Sequence, residues 1–149
     1  MSAYKWGSAS AFSSAMDLYN QGRYADAERA FNAVVVSGDK NAPSAALYAA
    51  RSAESAFGCA KAAPKYEIVA ARYPSSVGAD AQWEGANCYK ATGQYQKARS
   101  MYVALRSVAG FRDKAEAEIA NLQPFLTASP AKQGAAAKSA RPPAAATKE

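Results

Sequence analysis

Small and large apolar residues recur along this chain at helical spacing. Ala11, Ala15 and Leu18 follow one another at intervals of four and three, and Ala27, Phe31, Val34 and Val35 repeat the pattern beyond Gly22. Each series places its members on one face of an amphipathic helix. Farther along, Gln82, Gly85, Ala86 and Tyr89 form a corresponding series, answered by Ala98, Tyr102 and Leu105 beyond Gly93. The glycines at 22 and 93 supply a turn that a residue with a Cβ resists. Tyr24 and Tyr95, two residues later, are expected to pack at the start of the second helix. The pattern predicts pairs of helices in which small residues face large ones at fixed depth, with Ala98 set against the first helix of its own pair.

The same residues reveal a repeat. Gly22-Arg-Tyr24-Ala-Asp-Ala27-Glu-Arg-Ala-Phe31 and Gly93-Gln-Tyr95-Gln-Lys-Ala98-Arg-Ser-Met-Tyr102 share one spacing of Gly, Tyr, Ala and aromatic, 71 residues apart. Halfway between them stands Ala62-Ala-Pro-Lys-Tyr66, with the same Ala-to-aromatic interval. Three two-helix units with a period near 35 are therefore predicted, at about 8–42, 43–78 and 79–112. Residues 112–126 follow, with Ala115, Ile119 and Leu122 on one face and charges elsewhere. They read as the solvating helix that caps a helical array, with Pro124 expected to kink or end it. Residues 1–7 are a leader or the start of the first helix.

Trp83-Glu-Gly85-Ala-Asn-Cys-Tyr89-Lys-Ala-Thr-Gly93-Gln-Tyr95-Gln-Lys-Ala98 resembles the tetratricopeptide repeat, whose order of small, aromatic, Gly, aromatic, Ala and aromatic it follows at nearly every signature site. The second unit departs, its turn reading Phe57-Gly58-Cys59. The resemblance implies an all-α fold: a superhelix of three helix hairpins with a C-terminal capping helix. The junction Tyr73-Pro74-Ser-Ser followed by Ala79-Asp-Ala-Gln-Trp83-Glu-Gly85 is similar to the bacterial cell-envelope branch of these repeats, which includes the periplasmic coordinator of the Tol-Pal system and lipoproteins that help assemble outer-membrane β-barrels. That likeness implies an adaptor in the periplasm or envelope, without catalysis, and a cytoplasmic setting is the alternative.

In a stacked array the first helix of each unit lines the concave face. The residues off the Ala face are then candidates for binding another protein: Phe12, Met16 and Tyr19 in the first unit, Leu47, Tyr48 and Arg51 in the second, and Trp83, Asn87 and Lys90 in the third. Tyr, Trp and Arg are the types enriched at interface hot spots, and such a groove suits an amphipathic helix or an extended peptide. Phe12, Leu47 and Trp83 can equally be inter-repeat packing. A carboxylate clamp of the kind some repeat adaptors carry is not expected, because Phe12 and Met16 stand where polar groups are needed. In such an array the start of the second unit's second helix lies level with the end of the third unit's first helix. Cys59 and Cys88 then either form a disulfide, which suits an oxidising periplasm, or are two separate buried thiols.

Composition narrows the chemistry. The 149 residues contain no histidine, which removes Ser-His and Cys-His nucleophile systems, and two cysteines are too few for a structural zinc site. Asp113, Glu116 and Glu118 cluster, yet Glu116 and Glu118 point to different helix faces, and no Gly-rich phosphate loop or nucleophile elbow is present. A non-enzyme without cofactor or metal is therefore expected. No apolar run is long enough to span a membrane. Leu, Ile, Val and Phe are scarce, whereas 39 Ala and 16 aromatic residues call for helices that approach closely with rings filling the gaps. The net charge of +6 keeps a nucleic-acid binder open as another reading. A sensory or scaffolding domain of a larger membrane-anchored regulator is a third.

Residues 127–149 hold nine Ala, three Pro and a net charge of +3, with no Leu, Ile, Val or aromatic residue. Such a stretch cannot bury enough surface to offset its ordering entropy, so a disordered tail or tether is expected. Its four cations, Lys132, Lys138, Arg141 and Lys148, are spread out, unlike a clustered polybasic patch. Truncation after Leu126 is predicted to move the thermal midpoint by only a few degrees, the equivalent of less than about 1 kcal/mol. A larger loss in a calorimetric scan would show that the tail docks.

Overall fold

The computed structural model describes residues 10–127 and, among them, contains helices and turns but no strand. Seven helices follow in order: α1 (Ala11–Asn20), α2 (Tyr24–Ser37), α3 (Ala42–Phe57), α4 (Cys59–Arg72), α5 (Gly78–Ala91), α6 (Tyr95–Ala104) and α7 (Arg112–Leu126). The expected all-α class is met. The leader at 1–7 and all of the tail beyond Thr127 lie outside the described residues. Among those described, no helix is long and apolar enough to cross a membrane. The chain divides after Ala62 into two compact units, so α4 begins in the first and continues in the second.

The two matched decamers make the same turn. Gly22 and Gly93 adopt left-handed backbone, with φ of 78° and 80°. In each turn the glycine N–H donates to the carbonyl three residues back, Tyr19 or Lys90, at 3.0 Å, and the next N–H reaches five back, Arg23 to Leu18 and Gln94 to Tyr89, at 2.9 Å. The longer bond is the one that closes a Schellman motif, satisfying a carbonyl that the helix end would otherwise leave bare. The middle unit differs here as its sequence does. Only Gly58 separates α3 from α4.

In the first unit, α2 packs against both α1 and α3. Its core joins Ala15 of α1, Ala27, Phe31 and Val34 of α2, and Ala45 and Ala49 of α3. Three alanines there have no exposed surface, and neither has the Phe31 ring between them. Ser10 starts the first helix by accepting a hydrogen bond from the Ser13 N–H at 3.0 Å, the usual work of an N-cap serine.

In the second unit, α6 packs against α5 and α7. Ala81, Ala86, Ala98 and Ala115 are closed off from solvent beside the buried rings of Tyr66 and Tyr102. Neither helical proline breaks its helix. Pro64 lies inside α4, and α7 runs past Pro124 to Leu126, so the stop expected at Pro124 is not taken. Proline forfeits one intrahelical bond. At Pro124 the carbonyl that loses its donor belongs to Ala120, which is exposed, so solvent can satisfy it.

Gly85 sets the closest approach in this unit. A Cβ built there meets the Tyr66 Cβ and the Met101 Cε, each at 2.9 Å. Met101 can swing aside, but the Tyr66 Cβ is fixed to the backbone of α4, so the helices themselves must part. Gly85→Ala is predicted to lower stability by about 1–3 kcal/mol through overpacking, even though Ala is worth up to about 1 kcal/mol more than Gly in a helix interior. Thermal or urea unfolding checks the sign. A stabilised variant would contradict the packing of α4 on α5.

Candidate interaction site

Helices α1 and α3 bring aromatic side chains together over α2. Phe31 is the floor, with no exposed surface, and Phe12, Met16, Tyr19 and Tyr48 are half-buried around it. The Phe12 ring lies 5.7 Å from Phe31 and 6.5 Å from Tyr48, centroid to centroid. Tyr48 stacks on Phe31 at 5.5 Å, while Tyr19 meets Tyr48 edge-on at 5.3 Å. These are the separations and tilts at which ring quadrupoles attract. One turn beyond Tyr48, the Arg51 guanidinium carbon sits 5.0 Å from the Tyr48 centroid, within cation–π range. Five of the six residues proposed for the first two expected repeats thus form one half-exposed surface of the first unit.

Leu47 is the exception. It is only 4% exposed and belongs to the packing, because α3 buries most of its circumference, with Ala45, Ala46, Ala49, Ala50, Ser52 and Ala53 buried beside it.

Trp83, Asn87 and Lys90 share a face of α5 in the second unit, and each is engaged within that unit. Trp83 meets Tyr102 edge-on at 5.3 Å and Phe111 at 6.4 Å, and the Lys114 ammonium lies 4.6 Å from its ring. Asn87 Oδ1 accepts a hydrogen bond from the buried Tyr102 hydroxyl. Lys90 pairs with Glu118 at 2.8 Å. The α5 face that the sequence assigned to a groove therefore carries α7, and these three offer a partner only their half-exposed edges. Phe111 and Lys114 were not legible as partners of Trp83. Phe111 just before α7 and Lys114 in its first turn lie close in sequence, but that spacing says nothing of what they meet.

Three phenols in this unit are raised above their ordinary range, Tyr95 by burial alone. Burial, and after it the Glu118 charge, raises Tyr102 well above its ordinary range. Tyr89 is pushed up to about 12, first by burial and then by Glu67, whose carboxylate accepts the Tyr89 hydroxyl at 2.6 Å.

Both cysteines, Cys59 and Cys88, are disulfide-bonded and no free thiol is present among the described residues. Of the two alternatives the sequence left open, the bridge holds. No protein-family model matches the chain, and no curated protein or solved structure matches it. For protein folded under oxidising conditions, alkylation without reduction is predicted to label neither cysteine, and alkylation after reduction to label both. Mass spectrometry reads the difference, and two labels before reduction would refute the bridge.

Proposed function

We propose that this chain is a non-catalytic protein-interaction module of tetratricopeptide-like helix pairs capped by α7, and that it receives a peptide or helix of a partner protein on the aromatic face of its first unit. The observation that carries the proposal is the surface of Phe12, Met16, Tyr19, Tyr48 and Arg51. It joins rigid rings to a guanidinium on packed helices, the combination over-represented among hot spots. Its half-buried rings cost a partner little further ordering, because they are already fixed against Phe31.

The repeat-like turns at Gly22 and Gly93 support the tetratricopeptide-like reading. The disulfide suits an oxidising compartment, which agrees with a role in the bacterial periplasm or envelope. A basic nucleic-acid binder differs in what it predicts: phosphate contacts weaken steeply as salt rises, whereas an aromatic face does not.

In a pull-down from bacterial envelope extract, the intact protein is expected to retain a partner at both low and moderate salt. Tyr48→Leu and Arg51→Ala should each weaken retention at least about tenfold, a loss of about 1.4 kcal/mol, with circular dichroism unchanged. Equal capture by wild type and both variants would overturn the assignment of this face, and loss of capture with rising salt alone would favour nucleic acid.

A further inference from the structure

The aromatic face of the first unit starts on the first turn of the first helix. Ser10 is the N-cap of α1, in extended backbone with φ −61° and ψ 155°. Phe12 follows two residues later, its ring 5.7 Å from Phe31 and 6.5 Å from Tyr48. Phe12, Met16 and Tyr48 are each only half-buried. Directly before Ser10 the sequence reads Met1-Ser-Ala-Tyr4-Lys5-Trp6-Gly7-Ser8-Ala9, residues that lie outside the described part of the chain. This leader holds two large rings, Tyr4 and Trp6, joined to α1 through Gly7 and Ser8, types that favour a chain reversal. Alternate side chains of an extended segment share one side, so Tyr4 and Trp6 can meet one surface together with Lys5 on the other side. Reach is sufficient. At up to about 3.6 Å per residue, Trp6 lies within about 14 Å of Ser10 and Tyr4 within about 22 Å.

We infer that the leader folds back along α1 in cis and lays Tyr4 and Trp6 on Phe12 and Tyr48, forming a strap that a partner must displace. The inference rests on the function proposed above for this face, whose occupancy the strap regulates. Aromatic side chains bury about 150–250 Å² each and attract other rings in offset or edge-on arrangements, the kind that already join Phe12, Phe31 and Tyr48. The receiving rings are fixed, so covering them adds little ordering cost. Tethering selects this occupant over the leader of a second copy. A short covalent link sets an effective concentration of about a millimolar, far above that of free chains in dilute solution.

The test is acrylamide quenching of Trp6 in the full-length chain carrying Trp83→Phe, which leaves a single indole. Its quenching constant should be at least about threefold below that of a synthetic peptide of residues 1–9, because an indole enclosed by rings is screened from the quencher. Tyr48→Leu should raise the constant toward the peptide value with circular dichroism unchanged. Dilution over about a hundredfold should leave it unaltered, as an intramolecular contact requires. Should Trp83→Phe lose its helical circular dichroism, the difference in quenching between the unaltered chain and Trp6→Phe reads the same indole. In the pull-down, Tyr4→Ala with Trp6→Ala should raise partner retention at least about threefold, the gain from freeing a face that is open about a third of the time. Peptide-like quenching of Trp6, or shielding indifferent to Tyr48→Leu, would overturn the inference. Shielding lost on dilution would overturn it as well, because that outcome gives the face to a second copy's leader. So would retention unchanged by removal of both rings. Quenching needs no partner, so a shielded Trp6 in a chain that captures nothing counts against the proposed function and not against the strap.

Discussion

Everything in this molecule depends on rings being packed against alanine. With so few Leu, Ile, Val and Phe residues, ordinary interdigitation of branched side chains cannot fill a core at protein density. Large contact areas come instead from Tyr and Phe, and the alanines opposite let helix axes draw close enough for those rings to be enclosed. Phe31 among Ala15, Ala27 and Ala45, and Tyr102 in the unit that buries Ala81, Ala86 and Ala98, are two instances of one solution. Gly85 takes it to its limit, where even a methyl group is too large.

That constraint explains why so much of the fold is legible in the chain. A small residue facing a ring must recur at helical spacing, and the turn between paired helices must come at a fixed distance from both. The Gly22 and Gly93 decamers therefore encode equivalent hydrogen-bonded turns. The alternatives for the two cysteines could be stated for the same reason, since a regular array fixes which ends of helices lie level. The middle unit was less legible because its single-residue turn at Gly58 departs from the spacing that the other two share.

The candidate site was legible only in part, and the failures have one cause. Periodicity tells which residues share a face but not what covers that face. For Leu47 the sequence left surface and packing equally open, and packing holds because α3 is buried around most of its girth, a property of its neighbours rather than of its own pattern. Trp83, Asn87 and Lys90 were placed on the open side of α5, but α7 supplies Glu118 and Lys114 to that side. Ile68 received no assignment from the sequence, and the structure buries Val69 and Tyr66 while leaving Ile68 outside.

These placements give the two units different capacities from similar parts. In the second unit the Tyr102 hydroxyl ends on Asn87 and the Tyr89 hydroxyl on Glu67, so both phenols are buried with their polar ends satisfied, as burial of a hydroxyl requires. Their contribution is to hold α4, α5 and α6 together. In the first unit Tyr19 and Tyr48 lean on Phe31 but keep part of each ring in water, with Arg51 beside them. A ring that is fixed on one side and wet on the other gains most from being covered, because the ordering entropy has already been lost and the apolar surface has not yet been removed from water. On α5 this condition is met by Phe111, just before α7, and by Lys114 of α7, which both lie against Trp83. Under the proposed function, the comparable aromatic surface on α1 and α3 is the one that a partner's side chains would cover, as α7 covers Trp83 in the second unit.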